Sequence, residues 1–234
     1  MGLFSDLLKE FGVPGERLVD LGCGTGNSSV ELHRNGYGVT GVDISPAMVS
    51  VAGGKEETRG IDFLVGGLSD LPLASARFDA AVSAGEAFHY LVEDEELDAA
   101  LAEAARVLVP AGLLVVEVNT ELSFRLLSRA PNIRRSDDGF VSFSPLAPGG
   151  FTPGGTIDLE ADTFARVRGG LWERSVTRHR LRHLTHERIL EGLTSAGLEF
   201  VCVRGFYAGA LEEGLDDEKH PKALYVARRA DSAD

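Results

Sequence analysis

A chain of 234 residues, 44% apolar and with a mean hydropathy of zero, is long enough to bury the core of one α/β domain carrying an insert. Its formal net charge of −13 argues against a nucleic-acid or anionic-membrane partner, since neutralising phosphates requires clustered Lys and Arg. No run approaches the ~20 apolar residues of a membrane span, Met1-Gly2-Leu3-Phe4 leads into polar residues rather than a signal-peptide core, and two cysteines give no disulfide framework, so a cytoplasmic, reducing location is expected.

In chain order, Leu7, Leu8 and Phe11 share the face of a short helix over Ser5 to Phe11, which Gly12-Val13-Pro14-Gly15 ends. Next, Val19-Asp20-Leu21-Gly22-Cys23-Gly24-Thr25-Gly26 joins an apolar strand to a glycine-rich turn, and Ser28 to Asn35 reads as a helix stopped by Gly36. The three glycines let the backbone turn freely and leave room for a ligand to lie against the peptide groups. A P-loop would end Gly-Lys-Ser/Thr, whereas Gly26 is followed by Asn27-Ser28. A dinucleotide fingerprint needs its third glycine where Asn27 sits, which weakens an NAD reading without removing it.

The stretch from Asp20 to Gly26 resembles, residue for residue, the first motif of class I S-adenosylmethionine-dependent methyltransferases. That resemblance implies an α/β fold with a Rossmann-like, seven-stranded, mostly parallel sheet whose last strand is antiparallel. It also implies that Gly22, Cys23, Gly24 and Gly26 lie against the methionine part and ribose of S-adenosyl-L-methionine, with Asp20 near the methionine ammonium. Relatives usually carry a longer N-terminal segment over the cofactor, so a lid here is expected to come from elsewhere.

Tyr37 to Asp43 is a second strand ending in a carboxylate, 17 residues beyond Gly26, where the fold delivers a side chain to a ribose edge. The resemblance gives Asp43 the same role and continues through Ile44-Ser45-Pro46-Ala47-Met48, with Ile44 and Met48 packing near the adenine. The competing reading of Asp43 as a helix cap is weaker, because Ser45-Pro46 already supplies a cap and a first-turn proline. Ile61 to Val65 is a third strand. Beyond it the family's next motif is matched with one departure: Gly67 stands where many relatives have an Asp that bonds the adenine amino group. Adenine would then be held at Gly67 and the backbone of Leu68, with Ser69 or Asp70 assisting.

Phe78 to Ser83 is the fourth strand, with Ser83 at the cofactor, and Ala84 to Tyr90 follows at its carboxyl end, where open α/β sheets place their ligands. His89 is the candidate general base, since an unperturbed imidazole titrates near pH 6.5; Glu86 would orient it or bind an amine substrate. Structural readings compete for both: Glu86 bonding backbone, and His89 packed beside the adenine. A helix from Asp94, with Leu97, Leu101, Ala105 and Leu108 in period, is broken at Pro110-Ala111-Gly112, and Leu113 to Val118 reads as a central buried strand.

The core is therefore expected over residues 1–118 and 186–234, with residues 119–185, 67 in all, forming an inserted β-rich cap that selects the substrate. Prolines at 145, 148 and 153 and glycines at 149, 150, 154 and 155 predict an irregular loop from Ser144 to Thr156. Ile157 to Val167 and Trp172 to Leu184 read as two strands. A three-residue Gly169-Gly170-Leu171 connection would face Asp158, Glu160 and Asp162 with Arg182, Arg180 and Arg178, leaving Ile157, Leu159 and Leu181 on the other face. That pairing accounts for the basic run without nucleic acid. It turns His179 and His183 toward whatever the cap covers, which makes His179 a further catalytic candidate; strand residues four apart lie ~13 Å apart, too far to share a zinc ion, and no metal is expected.

His186 to Ala196 then reads as a helix, Leu198 to Val203 as a strand and Ala223 to Ala227 as the antiparallel return. The expected activity is methyl transfer to a nitrogen or oxygen of a small molecule such as a natural-product scaffold, giving S-adenosyl-L-homocysteine. An NAD-linked oxidoreductase and a cofactor-binding protein without transfer activity remain as alternatives. The expected partner is a small-molecule methyl acceptor, with no nucleic acid and no membrane; a homodimer is a permitted assembly.

Overall fold

The computed structural model describes residues 2–167 and 169–230. Helix α1 (Leu3–Phe11) leads into β1 (Arg17–Leu21), α2 (Asn27–Arg34), β2 (Gly38–Asp43), α3 (Pro46–Gly53), β3 (Asp62–Val65), β4 (Phe78–Ser83), α4 (Asp94–Val107) and β5 (Leu108–Asn119). A middle segment follows: α5 (Glu121–Leu127), β6 (Asn132–Ser136), β7 (Gly139–Pro145), β8 (Thr156–Arg166) and β9 (Trp172–Arg182). The chain closes with α6 (His186–Ser195), β10 (Leu198–Tyr207), β11 (Ala210–Glu213) and β12 (Lys222–Arg229).

The large sheet runs β3-β2-β1-β4-β5-β12-β10-β11. Its first five strands are parallel, while β12 enters antiparallel between β5 and β10. The expected seven strands are thus present with the antiparallel return inside the sheet, and an eighth, β11, pairs antiparallel to β10 through a hairpin. Strand β5 starts directly from α4 rather than at Leu113, because Ala111 takes a left-handed φ of 60° and lets the chain turn without leaving the sheet. The apolar runs of β4 and β5 are buried on both faces, as strands flanked by helices must be. One core layer packs α4 and α6 on the sheet through Leu97, Leu101 and Leu193; the other packs α1 and α2 through Leu7, Leu8 and Leu32.

Asp79 fastens the amino ends of β1 and β4. Both its oxygens meet the Arg17 guanidinium, at 3.0 and 3.1 Å, and Oδ2 also accepts the Arg17 N–H at 2.9 Å. Strand order reverses between β1 and β4, so the crevice outside their carboxyl ends is the topological switch point of the sheet.

Between β5 and α6 the chain builds a separate four-stranded antiparallel sheet, β6-β7-β8-β9. The β6–β7 hairpin and α5 have no counterpart in the sequence reading. The register of β8 on β9 differs from the expected one by two residues: Asp158 pairs with Arg180, Glu160 with Arg178 and Asp162 with Val176. Five residues, 167–171, make the connection, and Val167 N–H bonds Leu171 O within it. A shift of two keeps every side chain on its face. Acid therefore still meets base, through Asp158–Arg180 at 2.7 Å, Glu160–Arg178 at 3.7 Å and Asp162–Arg174 at 2.8 Å. The opposite face buries Ile157, Leu159 and Leu181 against Phe124 of α5.

Phe124 is where the two sheets meet, its ring 5.1 Å from that of His89, 5.2 Å from His183 and 5.5 Å from Phe151. Among the described residues no helix is long and apolar enough to cross a membrane. Replacing Phe124 by Ala should cost roughly 3–5 kcal/mol in denaturant unfolding, and native-state hydrogen exchange should show β8 and β9 losing protection before β4 and β5.

Candidate active site

The glycine turn after β1 is built on the end of β2. Gly22 and Cys23 N–H both donate to Val42 O, at 2.8 and 3.0 Å, and Gly26 N–H closes the turn on Cys23 O at 2.9 Å. Gly22, Gly24 and Gly26 all have positive φ, between 52° and 82°, which side chains rarely adopt. Gly22 is further constrained, since a Cβ there would sit 2.3 Å from the Cβ of Ala87 in the loop after β4. At Gly24 the same atom would meet nothing within 4 Å: the turn opens onto space. Lys55 braces the outside of the turn, donating to Thr25 O at 2.7 Å.

Two carboxylates face each other across this turn. Asp43 accepts Gly24 N–H on Oδ2 at 2.8 Å and Ser45 N–H on Oδ1 at 2.9 Å. The cap of α3 is Ser45, whose hydroxyl accepts Met48 N–H at 3.3 Å, so Asp43 is not needed for that purpose. Asp20 is fully buried; its Oδ2 accepts the hydroxyls of Ser28 and Ser29 at 2.7 and 2.6 Å, while Oδ1 has no partner among the described residues. Burial pushes its carboxyl above the usual carboxylate range. Beside Asp43, Ile44 and Met48 are 76% and 45% exposed, an apolar surface without protein to cover it. Gly67 begins a tight turn to Asp70, and a Cβ on it would reach only Ile44 Cδ1, at 3.9 Å. The side chain of Leu68 packs inward on the core, and the Ser69 hydroxyl is taken by Glu96 O at 3.2 Å.

After β4, a short 3-10 turn over Ala87–Tyr90 carries the loop up to β9. His89 has no exposed surface: its Nδ1–H donates to Arg182 O at 2.8 Å and its Nε2 accepts Asn119 N–H at 2.8 Å. Glu86 stands nearby, with Asn119 Nδ2 and Arg134 Nη2 each 3.4 Å from its Oε1. Gly85 N–H donates to Glu117 Oε1 at 3.2 Å, and Glu117 also receives Lys222.

Residues 18–112 match the family described as "Methyltransferase domain". A protein of Geobacillus sp. (strain WCH70) designated a methyltransferase is 28% identical over 225 residues, covering 95% of this chain and 88% of that protein. Among solved structures, an S-adenosylmethionine-dependent methyltransferase from Clostridium acetobutylicum ATCC 824 superposes with a TM-score of 0.82 at 18% identity, covering 97% of this chain and 89% of that one. The sugar N-methyltransferase KedS8 from Streptoalloteichus sp. ATCC 53650 gives 0.70 at 20% identity, over 97% and 85%. Residues 18–112 thus match a methyltransferase domain, and nearly the whole chain has the fold of S-adenosylmethionine-dependent methyltransferases.

The residues around the glycine turn fit S-adenosylmethionine. The orphaned Asp20 oxygen suits an ammonium, Asp43 keeps a free lone pair on each oxygen for a hydroxyl, and Ile44 and Met48 offer a face for a base. Two expectations fail. Ser83 is closed to a ligand through its side chain, being fully buried with its hydroxyl donating to Leu21 O at 2.9 Å. His89 cannot serve as the base, because both ring nitrogens are committed, and burial lowers its pKa to about 4. It is a structural bond between β5, the β4 loop and β9. His183 is also spoken for at Nδ1, which accepts Gly154 N–H at 3.1 Å.

Sequence reasoning missed Asn119, Arg134, Glu117 and Tyr90. A charged Glu117 inside an apolar strand was the available signal for one of them; Arg134 lies in a segment whose pattern gave no strand.

The buried His89 couples stability to pH. The unfolded chain takes up a proton near pH 6.5, the folded one not until about pH 4, so acid favours unfolding across that window. The stability advantage of the wild type over His89→Gln should be greatest above pH 6.5. It should shrink by on the order of 3 kcal/mol as pH falls to about 4, read from urea unfolding at several pH values. A pH-independent difference would contradict the neutral buried ring.

Proposed function

We propose that this protein transfers a methyl group to a nitrogen or oxygen of a small molecule held between the 84–90 loop and the second sheet, with residues 119–185 as the substrate cap. The observation that supports this reading is the position of Glu86. It hangs from the loop after β4, next to the Gly85 backbone and opposite Arg134 of the second sheet, so a carboxylate stands where core and cap face each other. A carboxylate there can receive an ammonium or hydroxyl donor and hold it for in-line attack, and positioning of this kind supplies much of the rate of a methyl transfer. The basic residues of the cap favour a compact acceptor over a polyanion: Arg174, Arg178 and Arg180 are engaged by acids of the adjacent strand. The Streptoalloteichus neighbour, by its title a sugar N-methyltransferase, supports an amine as the first acceptor class to try.

Asp20, the Gly22 to Gly26 turn, Asp43, Ile44, Met48 and the 67–68 backbone would hold S-adenosylmethionine. When bound, it supplies an electrophilic methyl group on a sulfonium. The chain's part is to align the acceptor with that methyl group, to exclude water and to remove the proton that the acceptor sheds.

Calorimetric titration with S-adenosylhomocysteine should give micromolar binding, and NADH none. Asp43→Ala should weaken that binding by roughly 1.5–3 kcal/mol, the range for hydrogen bonds to charged groups, with an unchanged circular dichroism spectrum. Equal affinity in wild type and variant would remove Asp43 from the site, and absence of binding in the wild type would remove the cofactor assignment.

A further inference from the structure

The base that the cleft needs is not His89, and a second aromatic residue of the same loop is placed for the work. Tyr90 ends the 3-10 turn after β4, 46% exposed, and its Oη lies 2.7 Å from Nδ1 of His179 on β9. The contact spans the two sheets. The other ring nitrogen of His179, Nε2, lies 2.8 Å from Thr177 Oγ1 on an exposed part of the same strand. Two edge-on aromatic contacts fix the imidazole plane, with Tyr90 at 5.9 Å and with Phe143 of β7 at 6.1 Å between ring centroids.

We infer that Tyr90, His179 and Thr177 form a proton relay, with Tyr90 as the group that meets the methyl acceptor and His179 as the sink behind it. This rests on the methyl-transfer reading above. Two protonation patterns satisfy these contacts, since both hydroxyls can donate or accept; the relay uses the one in which Tyr90 O–H donates to Nδ1 and the Nε2–H of His179 donates to Thr177 Oγ1. Burial of the phenol, reinforced by the charge of Glu86, holds the Tyr90 hydroxyl up to about 12, so it is present as O–H at neutral pH and has a lone pair to offer.

In the step itself, the acceptor's lone pair forms a bond to the methyl carbon and the carbon–sulfur pair stays on sulfur. The proton shed by the acceptor goes to Tyr90 Oη as the phenolic proton moves to His179 Nδ1. The imidazolium then releases its Nε2 proton through Thr177 to water. No oxidant, reductant or metal enters the balance. The charged groups around the relay are Glu86, itself 3.4 Å from Arg134, on the side of Tyr90; and Arg178, Arg180, Glu160 and Asp158, paired with one another across β8 and β9, on the other face of His179.

Tyr90→Phe keeps the ring and removes only the relay atom. Nitrogen-15 spectra of the imidazole in the full chain should show His179 as the Nε2–H tautomer in wild type and a mixture in Tyr90→Phe; a wild-type ring protonated at Nδ1 overturns the relay whether or not any acceptor has been found. Turnover is then read as S-adenosylhomocysteine release with glucosamine and other small primary amines. On any amine that the wild type methylates, Tyr90→Phe should lower kcat by roughly 10²–10⁴-fold with KM and S-adenosylhomocysteine affinity unchanged. His179→Gln should lower kcat similarly and flatten its pH profile. A kcat within twofold of wild type in Tyr90→Phe overturns the proposal. Loss of S-adenosylhomocysteine binding in the wild type would instead sink the methyl-transfer reading, and the tautomer result would separate the two failures.

Discussion

A neutral imidazole, sealed from water and bonded at both nitrogens, sets how the two sheets of this protein stand to each other. His89 donates from the β4 loop to a carbonyl at the end of β9 and accepts a hydrogen bond from an amide at the end of β5. Both partners are backbone groups that would otherwise lie buried and unpaired where core and insert join, at a cost of about 1–3 kcal/mol each. An asparagine or serine could meet one of them. A ring with one donor and one acceptor some distance apart meets both and packs on Phe124 besides. The contacts of Glu86 with Arg134 and of Tyr90 with His179 come from the same loop that this joint holds.

The turn proposed to hold the cofactor is made largely of backbone. Amides of Gly22 and Cys23 bond the end of β2, that of Gly24 bonds Asp43, and glycines remove the side chains that would fill the space above. Those amides are spent on the protein itself, so the turn asks for a conformation rather than for particular residues, apart from two carboxylates and the glycines. It is consistent with a TM-score of 0.82 at 18% identity to the Clostridium methyltransferase. The proposed acceptor side draws on side chains from a loop and a second sheet.

That division also explains what could be read in the sequence. The parallel strands were legible because burial on both faces writes continuous apolar runs, and the glycine turn because its conformation admits few substitutes. Asp43 was legible from its place at the end of β2. The faces of β8 and β9 were legible from the alternation of acids and arginines, whereas their register was not: a shift of two preserves the alternation and is decided by the turn. The β6–β7 hairpin left little trace, since its side chains are largely exposed or half-buried and lack a strong apolar rhythm. His89 was singled out for the right reason, a titratable ring in a ligand-bearing loop, and given the wrong role, because the partners that occupy it lie 30 and 93 residues away in the chain.

The cysteine in the glycine turn follows the same logic of enclosure. Cys23 is buried between Asp20 and Asp43, and burial with these two carboxylates pushes its thiol up to about 12. Alkylation, disulfide exchange and peroxide oxidation all proceed through the thiolate, which is a vanishing fraction at neutral pH for such a group. A sulfur atom therefore sits at the centre of the cofactor turn as a small apolar filler, and the turn is insulated from the redox state of its surroundings.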